Sequence, residues 1–401
     1  MTHKICKHFG FCGGCQTMDQ PYEQQVTVKN GELKTLLAPY WDKEILVHHS
    51  PTIEYYRNKI EIGFCRQVLW KHPFDKKVKR DKTEPLDFEN AVGFKVKGRW
   101  DRAVDIQDCL IFEPYLIPLL NAVRAWAKEQ NLDYYDQRKH TGTLRNIMMR
   151  QGKNTDEQMI VLIAANDNFD TAGFARAVES VLPAANILLA VNDGVADVVK
   201  MQDAKVLKGA GTIKETIKLE DVAPVFTLSA QSFFQTNTLA AQLMYQRVRD
   251  IVKKLSPKTI YDFYGGAGSF SLTCADLVEK SFCIESVPEA VVDGAANAKL
   301  NNIENVSFVC DKVEDYVKKN KLSANNSLII IDPPRSGMHP AACAAIAGAG
   351  APNIAYISCN PVTLAKDLEE LTKYYEVKNV EAFDFFPNTK HIETLVELKL
   401  K

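Results

Sequence analysis

The chain has 401 residues, enough for two or three domains with cores of their own. With 46% hydrophobic and 25% charged residues and a net charge of −1, it has the make-up of an ordinary soluble protein. It has no run of 18 apolar residues, which excludes a membrane-spanning helix, and the opening MTHKICKHFG lacks the apolar core of a secretory leader. The ten cysteines are therefore expected in a reducing cytoplasm, where clustered thiols serve metals or catalysis rather than disulfides. Charge is uneven along the chain. Residues 57–102 hold 13 Lys and Arg against 7 Asp and Glu, a local excess of 13 − 7 = +6 that suits nucleic acid, although a solvated loop around DKKVKRDKTEP explains it as well.

Three zones follow one another. Residues 1–45 carry three cysteines and one expected helix, YEQQVTVKNGELKTLLAPY. Residues 46–222 read as a mixed α/β domain. In it KIEIGFC, AVGFKV, LRNIMMR and QMIVLIAA are expected strands, and YLIPLLNAVRAWAKEQ and TAGFARAVESVL expected helices. Residues 223–401 alternate helical stretches with short apolar strands: TIYDFY, SFCIES, NVSFVC, SLIIID and NIAYIS. That alternation predicts a parallel, doubly wound α/β sheet. The last two strands, near YEVKNVEAFDFF and HIETLVELKL, are expected as an antiparallel pair at the sheet edge.

The chemistry concentrates at the strand ends of the third zone. In TIYDFYGGAGSFSL, Gly266 and Gly268 permit a tight turn and close approach of a ligand. Ser271 stands where the dinucleotide fingerprint needs a third glycine, and SFCIES ends in Glu285, an acceptor for ribose hydroxyls. A glycine turn with a strand-end acid but no phosphate cradle suits a nucleoside without phosphates, of which S-adenosylmethionine is the obvious case. Asp311, one strand on, either meets the adenine or caps a helix. LIIIDPPRSG places an acid and two prolines in a rigid turn, as in methyltransferases that act on bases and planar nitrogens.

In IAYISCNPVTLAKDLEEL, Cys359 sits where the backbone leaves a strand, with Asn360 as an N-cap and Pro361 as the first helical residue. The helix dipole there favours a thiolate, and Cys359 reads as a nucleophile. The cysteines at 274, 283, 310 and 343 sit inside elements and read as inert thiols. A thiolate and an activated methyl group meet in one chemistry. Carbon 5 of uracil becomes nucleophilic once a thiolate adds to carbon 6, and a base must then remove the carbon 5 proton. Glu393 is the candidate base. By alternation it shares a strand face with His391 and Glu397, and on the residues alone a solvated charged face is the simpler reading.

The start of the chain adds CKHFGFCGGC. Cys6, Cys12 and Cys15, with Cys109 as a distant fourth, supply four thiols for zinc or a [4Fe–4S] cluster, and the three-plus-one pattern favours the cluster. Cys65 competes for the fourth place. The spacing is not the radical type C-x3-C-x2-C, so a structural or RNA-positioning cluster is expected.

Together these motifs resemble the RNA (uracil-C5)-methyltransferase family that makes 5-methyluridine, in its iron–sulfur branch. The resemblance runs almost end to end, through CKHFGFCGGCQ, YRNKIEIGF, VGFKVKGR, VDIQDC, SAQSFFQTN, DFYGGAGSFSL, IDPPRSG, ISCNPVTLAKD and FPNTKHIET. It implies a class I (Rossmann-like) S-adenosylmethionine methyltransferase domain, with Cys359 as nucleophile and Glu393 as proton acceptor. It implies Gln235, Tyr264, Glu285 and Asp332 around the cofactor and a [4Fe–4S] cluster on Cys6, Cys12, Cys15 and Cys109. Gly265 and Ser269 depart from the usual family residues, Cys and Asn. Cys6 lies so near the start that no additional N-terminal barrel is expected. The chain resembles the short type acting on 23S rRNA, while some short relatives modify tRNA. RNA is expected on the central domain, with Phe233 or Phe234 stacking on a flipped base or packing in the core, and Arg57 gripping phosphate or pairing at the surface. A monomer is expected. Cytosine-C5 methylation would need a Pro-Cys motif where DPPR stands. A non-catalytic cluster protein that binds RNA would not need the glycine turn, Cys359 and Glu393 together.

Overall fold

A computed structural model describes residues 4–69, 87–195, 203–320, 322 and 326–401. The basic stretch centred on DKKVKRDKTEP lies outside the described residues. In chain order the elements are α1 (Tyr22–Leu37), β1 (Leu46–His48), β2 (Lys59–Val68), β3 (Phe88–Gly93), α2 (Leu116–Glu129), β4 (Leu144–Gln151), β5 (Gln158–Ala164), α3 (Thr171–Glu179), β6 (Asn186–Val191), β7 (Lys205–Lys208), β8 (Ile213–Thr216) and β9 (Val225–Leu228). They continue with α4 (Thr238–Leu255), β10 (Thr259–Phe263), α5 (Ser269–Cys274), β11 (Lys280–Glu285), α6 (Pro288–Leu300), β12 (Val306–Cys310), α7 (Val313–Lys319), β13 (Ser327–Ile331), α8 (Pro340–Gly348), β14 (Asn353–Ser358), α9 (Pro361–Leu371), β15 (Tyr375–Phe383) and β16 (Glu393–Leu400). Strands β8 and β9 form a two-stranded ribbon.

The chain divides into two compact units. The first comprises Met1–Asp19, Glu54–Ile213 and Ser229–Gln231; the second Gln20–Ile53, Lys214–Leu228 and Ser232–Lys401. These differ from boundaries at 45/46 and 222/223. The short-range pattern of residues 1–45 shows a helix but not its destination. Leu33 and Leu37 of α1 are buried with Tyr356, Leu368 and Tyr375 in the core of the second unit, and β1 pairs in parallel with β15.

The first unit is built on a sheet ordered β3-β2-β4-β5-β6-β7, antiparallel except for the β5–β6 pair. Helix α2 buries Leu116, Leu119, Leu120, Val123 and Trp126, spaced by three or four residues along one stripe, in the same core as Phe174 and Val178 of α3. The N-terminal cysteine loop is fastened to the chain beyond β3, where Gly13 N–H donates to the Lys95 carbonyl at 3.0 Å and Lys97 N–H to that of Phe11 at 2.9 Å.

The second unit holds an eight-stranded sheet ordered β1-β15-β16-β14-β13-β10-β11-β12. Strands β10, β13 and β14 are almost continuously buried, as parallel strands with both faces covered should be. This is the class I methyltransferase fold. The closing strands do pair antiparallel, but away from the edge, because β16 inserts between β14 and β15 and β1 lies outside β15. Insertion is favoured because every residue from Glu393 to Val396 is buried, which an edge strand would leave exposed.

Candidate active site

Two strands of opposite direction bring the reactive groups together. The last register pair of β14 and β16 is Ser358 with Thr394, so Cys359 and Glu393 are the next positions outward on neighbouring chains. Glu393 is only 3% exposed. The solvated-face reading is therefore corrected. Thr394, the residue next to it, is fully buried too, so the strand has no solvent face there. His391 precedes the strand and so does not share its alternation.

Burial sets the electrostatics. It pushes the Glu393 carboxyl up to about 8, with Asp332 adding to the rise and Arg335 opposing it. Asp332 is crowded by protein although its side chain keeps some exposure; desolvation and then Asp262 bring it to about 7. Asp262 is buried and pushed to about 6, even though it accepts hydrogen bonds from Ser271 N–H at 3.0 Å and the Ser271 hydroxyl at 2.8 Å. The half-buried Cys359 thiol rises to about 11 by desolvation, then by Glu393 and Asp332. The dipole of α9 was expected to favour a thiolate; burial beside two acids outweighs it. At neutral pH the Cys359 thiol and the Glu393 carboxyl thus keep their protons in the ligand-free site, and Arg335 is the cation that opposes the rise of both.

The position of Cys359 is fixed by its neighbours. Asn360 caps α9, its side-chain oxygen accepting from Val362 N–H, while its amide donates to the Arg335 carbonyl at 2.9 Å. One asparagine thereby joins the Cys359 turn to the Asp332–Arg335 turn. Asp367, one and a half turns into α9, accepts from the Tyr356 hydroxyl at 2.5 Å and from Met338 N–H at 3.0 Å. Nothing in NPVTLAKD marks this aspartate for a role, because only the fold brings it to its two partners.

A cleft of about 440 Å³ opens at the carboxyl ends of the strands, lined by Tyr264, Glu285, Asp311, the 336–338 turn and Lys366. Ligands bind at this end of open parallel sheets. Tyr264 takes φ of +61° and Gly266 of +55°, turning the chain sharply after β10. The Glu285 carboxylate, part of the cleft lining, is held by Gly266 N–H at 3.1 Å and Val287 N–H at 2.9 Å. Gly268, at φ +79°, has no room for a side chain: a Cβ would lie 2.7 Å from the Phe308 ring. A Cβ on Gly265 would lie 2.4 Å from Cys283 Sγ, so the departure there accompanies a cysteine on the next strand. Asp311 does not cap α7; Lys312 holds that place, and Asp311 pairs with Lys319 at 2.8 Å. Gln235 sits half-buried before α4 and does not line the cleft. Phe234 packs against Phe226 in the core, whereas Phe233 is 69% exposed.

In the first unit, Cys6, Cys12, Cys15 and Cys109 line one small cavity with Phe9, Met18, Phe94 and Ile111. Cys65 is buried in β2, outside that cavity, with Lys95 Nζ at 3.7 Å. Among the described residues no group of three or more His, Cys, Asp and Glu side chains is arranged to hold a metal ion. Arg57 donates to the Lys59 carbonyl at 2.9 Å.

Comparison with known proteins agrees with this geometry. The fold and strand-end cleft define a class I S-adenosylmethionine methyltransferase. The family model described as tRNA (uracil-5-)-methyltransferase matches residues 184–401. An uncharacterized RNA methyltransferase of Clostridium tetani is 33% identical over 99% of this chain and 84% of its own length. One of Bacteroides thetaiotaomicron is 30% identical over 99% and 88%. The crystal structure of the Pyrococcus abyssi tRNA (uracil-54, C5)-methyltransferase with S-adenosyl-L-homocysteine superposes with a TM-score of 0.76 at 25% identity, covering 98% of this chain and 88% of that one. The chain belongs to the tRNA (uracil-5-)-methyltransferase family and is an S-adenosylmethionine-dependent RNA methyltransferase.

Proposed function

We propose that the protein methylates carbon 5 of a uridine in RNA, with Cys359 as nucleophile and Glu393 as base. The observation that carries this reading is the β14–β16 register, which sets a thiol beside a buried carboxyl at the ligand-binding end of the sheet. The Cys359 thiol and the Glu393 carboxyl first give up their protons to solvent. The Cys359 thiolate bonds to carbon 6, and the carbon 5–carbon 6 π pair moves into the ring as an enolate. When bound, S-adenosylmethionine supplies the methyl group that carbon 5 takes and is left as S-adenosylhomocysteine. Glu393, as the carboxylate, then accepts the carbon 5 proton, the double bond re-forms and the carbon 6–sulfur bond breaks, returning the thiolate. Tyr264 and Glu285, which line the cleft, are assigned to the cofactor with Gly266, Gly268 and Asp332 at the same strand ends, and Gln235, outside the cleft lining, is assigned to it by the resemblance of the motifs.

The resemblance of the motifs favours 23S rRNA as substrate. The likeness to the P. abyssi enzyme supports tRNA as the second reading. Incubating transcripts of each with S-adenosylmethionine and analysing the digested nucleosides by mass spectrometry tests both. One transcript should gain 5-methyluridine; gain of a different methylated nucleoside would overturn the reading.

The four cysteines of the first unit hold a [4Fe–4S] cluster in this proposal. Four thiols share one largely apolar cavity, and desolvation raises the pKa of each, Cys109 to about 11. Binding a cluster there would displace the four thiol protons. The three-plus-one spacing of the cysteines favours a four-iron cluster over a single zinc ion.

A further inference from the structure

In the first unit, the last residues of β2 and the first of β3 meet the 99–102 and 136–139 segments around an open cleft of about 320 Å³. Five cations line it: Arg66, Arg99, Arg102, Arg138 and Lys139. Two acids line it as well, and both are turned inward. The Asp101 side chain is 4% exposed; it accepts from Arg99 Nε and Nη2 at 2.9 and 3.0 Å and from Arg138 Nε at 2.8 Å. Asp136 is buried, and its carboxylate accepts from the backbone N–H groups of Arg138 and Lys139 at 2.9 and 3.1 Å. The acids therefore act as scaffolding, while Arg138 remains 64% exposed and Lys139 is exposed. Outside the lining, Arg66 pairs with Asp133 at 3.5 Å and Arg102 with Glu89 at 3.4 Å, which leaves Arg138 and Lys139 as the cations most open to a ligand.

The cleft also carries an aromatic face. Phe88 is 36% exposed, with the Arg66 guanidinium and Lys139 Nζ each 5.3 Å from its ring centroid. An arginine oriented by a buried carboxylate presents its remaining N–H groups in a fixed direction, which suits the planar recognition of a phosphate. Interleaving such cations with an exposed ring is the composition of a surface that follows a nucleic-acid backbone and stacks on an unpaired base.

We propose that this cleft of the first unit binds the RNA substrate, with Arg138 and Lys139 on adjacent phosphates and Phe88 against an unpaired base. The proposal rests on the RNA-methylation reading and adds a substrate-docking site to it. Asp101 is a positioning residue, which holds Arg99 and Arg138 ready.

The test measures binding of a substrate RNA fragment to the full-length protein by fluorescence anisotropy across a salt series, for wild type, Arg138→Gln/Lys139→Gln and Phe88→Leu. Both charge changes are on exposed side chains, Asp101 keeps its two hydrogen bonds from Arg99, and S-adenosylhomocysteine binding and melting temperature check that each variant is folded. The double variant should bind roughly ten-fold or more weakly, and the slope of log affinity against log salt should fall by about 0.7–0.9 for each phosphate it no longer neutralises. Phe88→Leu should weaken binding several-fold without changing the slope, since stacking releases no counterion. Covalent capture of 5-fluorouridine RNA at saturating RNA should survive in every variant. Unchanged affinity and slope in the double variant, with capture intact, would overturn the docking site alone. Absence of capture in wild type would instead sink the reaction on which it rests.

Discussion

Glu393 and Cys359 differ in what their removal should leave behind. Glu393→Gln preserves the buried shape and removes only the proton acceptor, so the carbon 6–sulfur adduct should form and persist on ordinary uridine RNA. Turnover should fall by about 10²–10⁴-fold, the usual contribution of a positioned base. Cys359→Ala should form no adduct on any RNA. A denaturing gel of protein with RNA distinguishes the two. Asp262, Asp332 and Glu393 all have raised folded-state pKa values, of about 6, 7 and 8. A carboxyl that holds its proton more tightly when folded favours the folded state below its unfolded pKa. That contribution disappears as pH rises through the folded value. The melting temperature of the ligand-free protein should therefore decline between about pH 4 and pH 8, and Asp332→Asn should flatten the decline. The same charges predict that the cationic S-adenosylmethionine gains affinity over neutral S-adenosylhomocysteine as pH rises from about 6 to 8. Calorimetric titration of both ligands reads that ratio.

At the level of elements, α9 does more than present Cys359. Asp367 ties the helix to β14 through Tyr356 and to the cleft turn through Met338 N–H. Asp367→Ala leaves a hydroxyl and an amide buried without an acceptor, a cost of about 1–3 kcal/mol for each. Its melting temperature should drop accordingly and its KM for S-adenosylmethionine should rise. Tyr356→Phe loses one bond of about 1 kcal/mol and should leave KM nearly unchanged. Thermal denaturation and initial-rate kinetics on both variants check this. The five parallel strands were legible in the sequence because each is a short apolar run bounded by turn residues, and β10 to β14 fall within a residue or two of those runs. The place of β16 was not legible. HIETLVELKL alternates like a half-exposed strand, yet its outward residue Glu397 is occupied by Arg247 at 2.6 Å, from α4 far away in sequence. For the same reason Glu393 looked like surface: a buried carboxyl shows only when the chains that cover it are assembled.

On the scale of the whole molecule, two kinds of signal behaved differently. Motifs local in sequence, such as the glycine turn and the Asn-Pro helix start, announced their own geometry. Groupings that cross the chain did not, and helix α1 joined the second unit although it follows directly on the cysteine loop of the first. Cys109 stands between the two cases. Its distance from Cys15 hides the pairing, yet a cavity holds all four thiols. Protein prepared without oxygen should contain about four irons and four sulfides per chain, the stoichiometry of such a cluster, and Cys15→Ser should lose most of both. Because the cluster is assigned no step in the reaction, the iron-free protein that still folds should capture 5-fluorouridine RNA, though more slowly if its first unit loosens.

The central claim is a covalent bond between Cys359 and carbon 6 of uracil, and trapping it is the most direct measurement. RNA carrying 5-fluorouridine, mixed with the protein and S-adenosylmethionine and run on a denaturing gel, cannot lose fluorine as a proton and should leave a protein–RNA band. Wild type should give that band with the 23S rRNA or the tRNA fragment, Cys359→Ala should lose it, and Glu393→Gln should retain it. No band with either RNA, from protein that binds S-adenosylmethionine, would contradict the covalent mechanism. A band that survives in Cys359→Ala would contradict the assignment of the nucleophile.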